Sequence, residues 1–343
     1  MAASSLEQRA PMLRTAPQHG SRLVTILVVA TMVVSLGLVL SRPSHEMEAV
    51  QALRAVPKQT RNPIIGVHSH QDSEFGDEFI AASYIKWIES AGGRAVRIPW
   101  NAPEDELTRL LSSVNGVLFP GGDPDPSPAA AFVYARALEL NRNGTHFPLW
   151  GTCLGFEWML QLQTANLHIL DKVDAQNLSS TLSLVHPRQS RLFSFSPVFN
   201  SLTTEPITDN FHHFGILADH FAATELLTSF YKVLATSQDR QGATYVAAIE
   251  AVDVPFYGVQ FHPEKNPYEF GLSADGTSYE SIDHSYAAIM TSQAFAHFFV
   301  SEARKNDHGF PTPAEEQAAL LYNSPRSNRS YPMYEEVFVF STK

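Results

Sequence analysis

The chain has 343 residues, of which 44% are hydrophobic and 17% are charged, a globular composition with enough apolar material for a sizeable core. Its formal net charge of -11 argues against nucleic acid as a partner, because phosphate binding needs a basic face. A small anionic substrate is not excluded, since it needs only a local cluster of cations.

The amino end carries an apolar segment at residues 23–40, LVTILVVATMVVSLGLVL, which follows Arg9, Arg14 and Arg22. Its length reaches the lower limit for a membrane span, and the preceding arginines favour a signal anchor with a cytosolic amino end. A cleaved signal peptide, cut after Ser41, is the competing interpretation, and a buried core helix is a third. Anchor and signal peptide both direct the rest of the chain into the secretory pathway. Three glycosylation sequons agree with that route, at Asn143, Asn177 and Asn328.

These features divide the chain into a cytosolic tail or signal n-region (1–22), the apolar segment (23–40), a polar stalk (41–61) and a globular domain (62–343). In the domain, strands are predicted at 63–68, 95–98, 116–120 and 147–152, and helices at 79–91, 105–114 and 128–140. Residues 164–240 are less regular and are expected to build part of a substrate cleft. Two more strands (244–250 and 257–261) and a long helix (285–305) follow.

Alternating apolar strands and helices predict an α/β fold, a mostly parallel sheet with helices on both faces. Ligands of such sheets bind beyond the carboxyl ends of the strands. This places His68, Gly121-Gly122 and Cys153 along one rim.

The only cysteine lies in the stretch PLWGTCLGFE, between Gly151 and Gly155. This spacing matches a nucleophile elbow, a sharp turn from strand into helix that projects one side chain into the cleft. The amino end of the following helix would stabilise a thiolate and a developing oxyanion. A buried, inert thiol is the alternative, and the G-x-C-x-G pattern alone does not decide between them.

A histidine and a carboxylate follow the strand predicted at 257–261, in the stretch GVQFHPE. A catalytic thiol needs a base to hold it as the thiolate and an acid to protonate the leaving amine, and His262 can do both. Glu264 can orient His262 and stabilise its cation. The pair, together with the cysteine elbow, favours a Cys-His-Glu hydrolase.

The run from 62 to 305 resembles gamma-glutamyl hydrolase, or folylpolyglutamate hydrolase, of the class I glutamine amidotransferase-like superfamily. The resemblance is carried by FIAASYIKWIESAG, NGVLFPGG, FPLWGTCLGFE, NFHHF, YGVQFHPEKNPYEF and FFVSEARKN. It implies a flavodoxin-like three-layer sandwich. The chain departs from the family at Glu78-Phe79, where an aromatic pair is usual, and at His68-Ser69-His70, where other members carry uncharged polar residues.

Carried over to these positions, the resemblance implies Cys153 as nucleophile, His262 as base and Glu264 as the third member of a triad. It implies an oxyanion hole formed by the amides of Gly122 and Leu154. It further implies substrate-binding roles for Glu157 and His212. Lys265, and Arg188 with less support, are the candidate cations for a polyanionic substrate tail.

The implied reaction is hydrolysis of gamma-glutamyl amide bonds in folyl or antifolate poly-gamma-glutamates, through a thioester on Cys153, with no cofactor and no metal. The resemblance also implies a homodimer and a lysosomal, vacuolar or extracellular location, with membrane attachment if 23–40 is uncleaved. Three other functions stay open: a glutaminase that feeds ammonia to a synthase, a non-catalytic binding protein, and metal binding. The metal would be held by His68, His70 and Asp72, or by His212 and His213.

Overall fold

The computed structural model describes residues 59–71, 78–327 and 333–341. The first half of the domain alternates strands with helices. The strands are β1 (Ile64–His68), β2 (His70–Gln71), β3 (Glu78–Ala81), β4 (Arg94–Ile98), β5 (Gly116–Phe119) and β6 (Leu149–Thr152). The helices are α1 (Ala82–Ser90), α2 (Glu104–Leu111), α3 (Pro128–Arg142) and α4 (Leu154–Thr164).

The second half adds seven strands among the described residues: β7 (Asp171–Ser180), β8 (Ser183–Leu184), β9 (Thr208–Gly215), β10 (Tyr231–Gln238), β11 (Thr244–Ala251), β12 (Phe256–Val259) and β13 (Val337–Phe340). Its helices are α5 (Ala218–Ala223), α6 (Glu225–Thr228), α7 (Lys265–Tyr268), α8 (Tyr286–Ala303) and α9 (Pro313–Ala319).

Eight strands form the central sheet in the order β4-β1-β5-β6-β12-β11-β10-β8. The five strands from β4 to β12 run parallel, and β11, β10 and β8 continue the sheet in antiparallel pairings. Every residue of β1, β5, β6 and β12 is buried, because helices cover both faces of the sheet. The α/β fold with a mostly parallel sheet is therefore confirmed.

The two faces of the sheet carry separate apolar cores. One core joins Trp87 of α1 and Phe299 of α8 to Trp150 of β6. The other joins Leu107 of α2, Val133 of α3 and Met159 of α4 to the opposite face. The result is a helix–sheet–helix sandwich in which β6 and β12 are neighbours near the middle of the sheet.

One predicted helix begins later than expected. The sequence pattern predicts a helix over 79–91, but Glu78–Ala81 is a strand that pairs with β13 and β2, and the helix begins at Ala82. Ile80 and Ala81 are buried here in a strand and would also be buried in a helix, so the apolar pattern of the sequence does not distinguish a strand from a helix. The strand forms because residues more than 250 positions away supply its partner, as in the pair of Phe79 with Val339.

The segment 164–240 contains more regular structure than the sequence indicated. Strands β7 and β9 form their own two-stranded antiparallel sheet, while β8 and β10 extend the central one. Strand β7, DKVDAQNLSS, is mostly polar and half-exposed, so it lacks the apolar signal of the other strands.

In the described part of the chain, no helix is long and apolar enough to cross a membrane. The apolar segment at 23–40 lies outside the described residues, as do the predicted tail and residues 41–58 of the predicted stalk.

Candidate active site

Cys153 occupies the turn between β6 and α4. Its φ of 50° and ψ of -107° are rare for a residue with a side chain, and such strain persists only where the surroundings enforce it. The turn is held on both sides, since the Cys153 amide donates to the Val259 carbonyl (2.9 Å) and the Gly155 amide to the Pro120 carbonyl (3.1 Å). The side chain is 5% exposed, at the carboxyl end of the parallel strands.

The two glycines around the cysteine are required by close backbone approach. A Cβ on Gly155 would lie 2.0 Å from the Phe119 carbonyl oxygen, and one on Gly151 would lie 2.6 Å from the Gly155 carbonyl oxygen. The G-x-C-x-G spacing therefore lets α4 begin directly against β5 and β6.

His262 comes to the cysteine because β12 lies beside β6 in parallel, with Val259 opposite Thr152. Its Nδ1 lies 2.7 Å from Glu264 Oε1, and Cys153 lies close enough to influence the charge of the ring. The His262 amide donates to the Asp209 carbonyl (2.8 Å), which fixes the loop after β12. Because Glu264 occupies Nδ1, Nε2 is the ring nitrogen left for the sulfur.

The charges around His262 favour its protonated form. Burial and the Lys265 ammonium lower the pKa of the imidazole, but the Glu264 carboxylate and Cys153 raise it more, to about 10. The arrangement suits an imidazolium that can later donate its proton.

The two backbone amides predicted to form the oxyanion hole have no hydrogen-bond acceptor among the described residues. Neither the Gly122 nor the Leu154 N–H donates a hydrogen bond to any residue that the structure describes. Leu154 is the first residue of α4, so its amide belongs to the unpaired donors of a helix amino end. The imidazole of His70 and the side chain of Leu154 pack around Gly122, at 3.1 and 3.3 Å from where a Cβ would be.

Glu157 and His212, both predicted to bind substrate, are buried near His262. Glu157 accepts a hydrogen bond from Gln260 Nε2 (2.9 Å), and burial raises the pKa of its carboxyl to about 7. His212 lies on β9 with Nδ1 2.7 Å from the Phe214 carbonyl, and burial lowers the pKa of its imidazole to about 3. Charge on His262 also lowers the pKa of His212, so the two rings share one electrostatic environment.

Lys265 does not offer an open cation. Its side chain is buried over the Phe211 ring, and its ammonium pairs with Glu280 and, at 3.7 Å, with Asp209 Oδ2. Burial alone would lower the pKa of Lys265, but the two carboxylates more than offset it. The expectation that Lys265 meets a substrate tail thus conflicts with an ion pair that already uses it. Arg188 is exposed in a turn after β8, the strand at the far edge of the sheet from the cysteine.

His68 of β1 and His70 of β2 are buried among aromatic rings. The His68 ring makes edge contacts with Trp100 and Trp158, and its Nδ1 lies 2.7 Å from the Ser69 carbonyl. No group of three or more His, Cys, Asp or Glu residues in the described ranges could hold a metal ion, and Asp72 lies outside them. His212 has both ring nitrogens within hydrogen-bonding distance of protein oxygens, Nε2 at 3.3 Å from Asn210 Oδ1.

Two more residues, Tyr84 and Gln260, belong to this site, although the sequence pattern did not indicate it. Tyr84 accepts the Gly121 amide at 2.7 Å and lies 3.4 Å from His262 Nδ1, and Gln260 holds Glu157. The periodicity of α1 indicated only that Tyr84 belongs to an inward face. The stretch GVQFHPE contains Gln260, but the sequence does not indicate that Gln260 hydrogen-bonds Glu157 on α4.

Two of the three glycosylation sequons lie in the described residues. Asn143 is exposed at the end of α3. Asn177 is half-buried, and its side-chain oxygen accepts the Ser281 amide at 2.5 Å. Asn328 lies outside the described residues.

The mostly parallel sheet, the strained cysteine turn after β6 and His262 in the loop after the adjacent strand β12 define an α/β protein with a cysteine-histidine site. Residues 63–264 match the family model of peptidase C26. The chain is 36% identical to gamma-glutamyl hydrolase B of Dictyostelium discoideum, covering 85% of this chain and 87% of that protein. It is 35% identical to gamma-glutamyl hydrolase of Homo sapiens, covering 88% and 93%. The chain belongs to the peptidase C26 family, with the gamma-glutamyl hydrolases.

The chain is also similar to a plant protein and to a solved structure. Gamma-glutamyl hydrolase 1 of Arabidopsis thaliana is 35% identical and aligns over 83% of this chain and 84% of its own length. Among solved structures, the glutaminase domain of Trypanosoma brucei CTPS, with bound acivicin, is similar with a TM-score of 0.47 and 15% identity, over 73% of this chain and 97% of that one.

Proposed function

We propose that this chain hydrolyses gamma-glutamyl amide bonds with Cys153 as nucleophile and trims folyl or antifolate poly-gamma-glutamates. The observation that carries the proposal is the position of Cys153, at the strained turn after β6, next to the strand β12 that leads to His262, whose Nδ1 lies 2.7 Å from Glu264. Family membership supports the substrate class, because the curated relatives are gamma-glutamyl hydrolases.

In the proposed reaction, the Cys153 thiolate attacks the carbonyl carbon of the gamma-glutamyl amide. The amides of Gly122 and Leu154 stabilise the tetrahedral oxyanion. The His262 imidazolium gives its proton to the departing amine, which leaves a gamma-glutamyl thioester on the sulfur. His262 then takes a proton from water, the hydroxide attacks the thioester carbon, and Cys153 returns as the thiolate.

Recognition of the substrate is assigned to Glu157 and His212. With its pKa near 7, Glu157 is partly protonated at neutral pH, so it can donate a hydrogen bond to a substrate carboxylate as well as accept one. His212 stays neutral in its buried position and presents a flat ring beside His262. Lys265 is assigned to the ion pair with Asp209 and Glu280 rather than to the substrate.

The test is incubation of the full chain with pteroyl-pentaglutamate, wild type beside Cys153→Ala, with the products separated by chromatography. Shortened folates from the wild type only, and a gamma-glutamyl adduct on Cys153 in intact mass spectra, are expected. Ser301→Ala, which removes a hydroxyl on α8, is the control and should match the wild type. Release of ammonia from glutamine would instead favour a glutaminase. Turnover that EDTA abolishes, or a fully active Cys153→Ala, would overturn the mechanism.

We also propose that the enzyme enters the secretory pathway through residues 23–40 and is glycosylated at Asn143. The apolar segment and the exposed position of Asn143 support this route. Amino-terminal sequencing of the mature protein would separate an anchor from a cleaved signal, and a glycosidase shift lost in Asn143→Gln would identify the glycan. Sedimentation would test the homodimer that the resemblance implies.

A further inference from the structure

Tyr84 connects two parts of the site that belong to distant segments of the chain. It lies on α1 and is 2% exposed. Its hydroxyl oxygen accepts the Gly121 amide at 2.7 Å and lies 3.4 Å from Nδ1 of His262. One oxygen atom therefore touches the loop after β5 and the histidine after β12.

The space around Gly121 shows how closely these parts fit. A Cβ at Gly121 would lie 2.5 Å from His262 Cε1 and 2.9 Å from the Tyr84 hydroxyl oxygen. The loop is thus confined between the tyrosine and the imidazole, and only glycine fits there. The next residue is Gly122, whose amide is the proposed oxyanion donor, so the orientation of the Gly121 peptide bears on where that amide points.

The hydroxyl keeps one protonation state. Burial, followed by the Glu264 carboxylate, raises the pKa of Tyr84 well above its usual range. The group remains a neutral phenol whose oxygen accepts the Gly121 N–H. Without the hydroxyl, the Gly121 amide would be a buried donor with no partner.

We propose that Tyr84 is a positioning residue that fixes the Gly121-Gly122 oxyanion loop relative to the His262 imidazole, so that the oxyanion donor and the proton donor reach the same substrate carbonyl. The inference rests on the proposed hydrolase function, since it concerns the same site. It assigns Tyr84 no contact with substrate: its effect acts through Gly121 and His262.

The test is Tyr84→Phe, which removes one oxygen and keeps the ring. The chain holds one cysteine, so titration of the native thiol with iodoacetamide counts competent sites, and kcat can be expressed per thiol. We expect kcat per thiol to fall at least ~10-fold, with KM within ~3-fold of the wild type, because the transition state loses an aligned donor and the ground state does not. We also expect a shift in the basic limb of the pH profile, since the hydroxyl contacts Nδ1.

Tyr134→Phe is the matched control. Tyr134 is also buried, and its hydroxyl bonds Gln163 (2.9 Å) on α4 and Tyr231 (3.0 Å) on β10, neither of which belongs to the site. It should leave kcat per thiol within about twofold of the wild type. A Tyr84→Phe enzyme with unchanged kcat per thiol, or an equal loss in Tyr134→Phe, would overturn the inference.

If Tyr84→Phe does not fold, hydrogen exchange of the Gly121 amide in the wild type still tests the proposal. A hydrogen-bonded, buried Gly121 amide should exchange its proton slowly in an NMR experiment, and rapid exchange of that amide would contradict the proposal. Failure of the hydrolase itself is distinguishable, because the wild type would then release no shortened folate at all.

Discussion

Nδ1 of His262 lies 2.7 Å from Oε1 of Glu264, and both side chains are almost completely buried. The two residues are separated by one proline, so the pair forms inside a single turn after β12, which the Asp209 carbonyl holds through the His262 amide. The carboxylate holds the ring by one nitrogen and leaves the other for the Cys153 sulfur. This is the orienting role that a third member plays in catalytic triads.

Glu264→Gln should lower kcat roughly 100-fold, because the amide still accepts a hydrogen bond but no longer stabilises the imidazolium. The Glu264 charge is one of the causes that raise the pKa of His262 to about 10, and activity requires the imidazolium. The basic limb of the kcat/KM profile, where that proton is lost, should therefore move to lower pH. A pH-rate profile checks this. Glu269→Gln is the control, because it removes another buried carboxylate, one that accepts the Glu335 amide at 2.6 Å. An unmoved basic limb in Glu264→Gln would contradict the assignment.

Gly155→Ala should destabilise the fold by about 3 kcal/mol or more, since overpacking against rigid backbone cannot be relieved by a side-chain rotation. The added Cβ would lie 2.0 Å from the Phe119 carbonyl oxygen and push α4 away from β5. Urea unfolding measures the loss. Gly309→Ala, where a Cβ would meet nothing within 4 Å, should leave the midpoint nearly unchanged. Equal stability of the two variants would show that the elbow tolerates a side chain.

Lys265→Met should cost roughly 3–5 kcal/mol, because it leaves Asp209 and Glu280 buried without their cation. The loss should shrink as the pH falls, since burial raises the pKa of Asp209 and the carboxyl takes up a proton. KM of the folded enzyme should change little. Lys305→Met, which breaks a half-exposed pair with Glu302, should cost less than ~1 kcal/mol. A stable Lys265→Met with a strongly raised KM would restore the substrate-binding role.

His68→Leu should reduce the sensitivity of the fold to acid. Burial, and then the nearby His70, lower the pKa of the His68 imidazole to about 3, so the unfolded chain binds a proton between pH 3 and 6.5 that the folded chain does not. Stability is therefore lost as the pH falls through that range, by about 2 kcal/mol between pH 7 and pH 5 for this one group. Urea unfolding at the two pH values should show the variant losing that much less than the wild type. His168→Leu, at an exposed ring, is the control, and equal losses in all three proteins would refute the argument.

Local patterns in the sequence predicted the sheet and the cysteine elbow, because continuous apolar strands and flanking glycines are visible within a few residues. Long-range partners were not predictable in the same way. Glu78–Ala81 is a strand because Val337–Phe340, far away in the chain, pairs with all four of its residues. The sequence did not indicate that Lys265 forms ion pairs with Asp209 and Glu280. It also did not indicate that the Tyr84 hydroxyl accepts the Gly121 amide, because the helical pattern marks Tyr84 only as a core residue. The strand, the ion pairs and the tyrosine hydrogen bond all depend on contacts between distant residues, which the local periodicity of apolar residues cannot predict.

The parallel pairing of β6 with β12 places Gly151 opposite Gly258 and Thr152 opposite Val259. The long segment that joins these two strands in the chain lies between none of the paired residues, because the strands are direct neighbours in the sheet. The distance from sulfur to imidazole is thus set by a four-residue ladder and not by the length of the intervening loop. Changes in the β7–β9 segment that keep the Asp209 carbonyl against the His262 amide should therefore leave the spacing of the reacting pair unchanged. A one-residue slip in that ladder, in contrast, would carry the histidine away by roughly 3.3 Å and turn its neighbours to the wrong face.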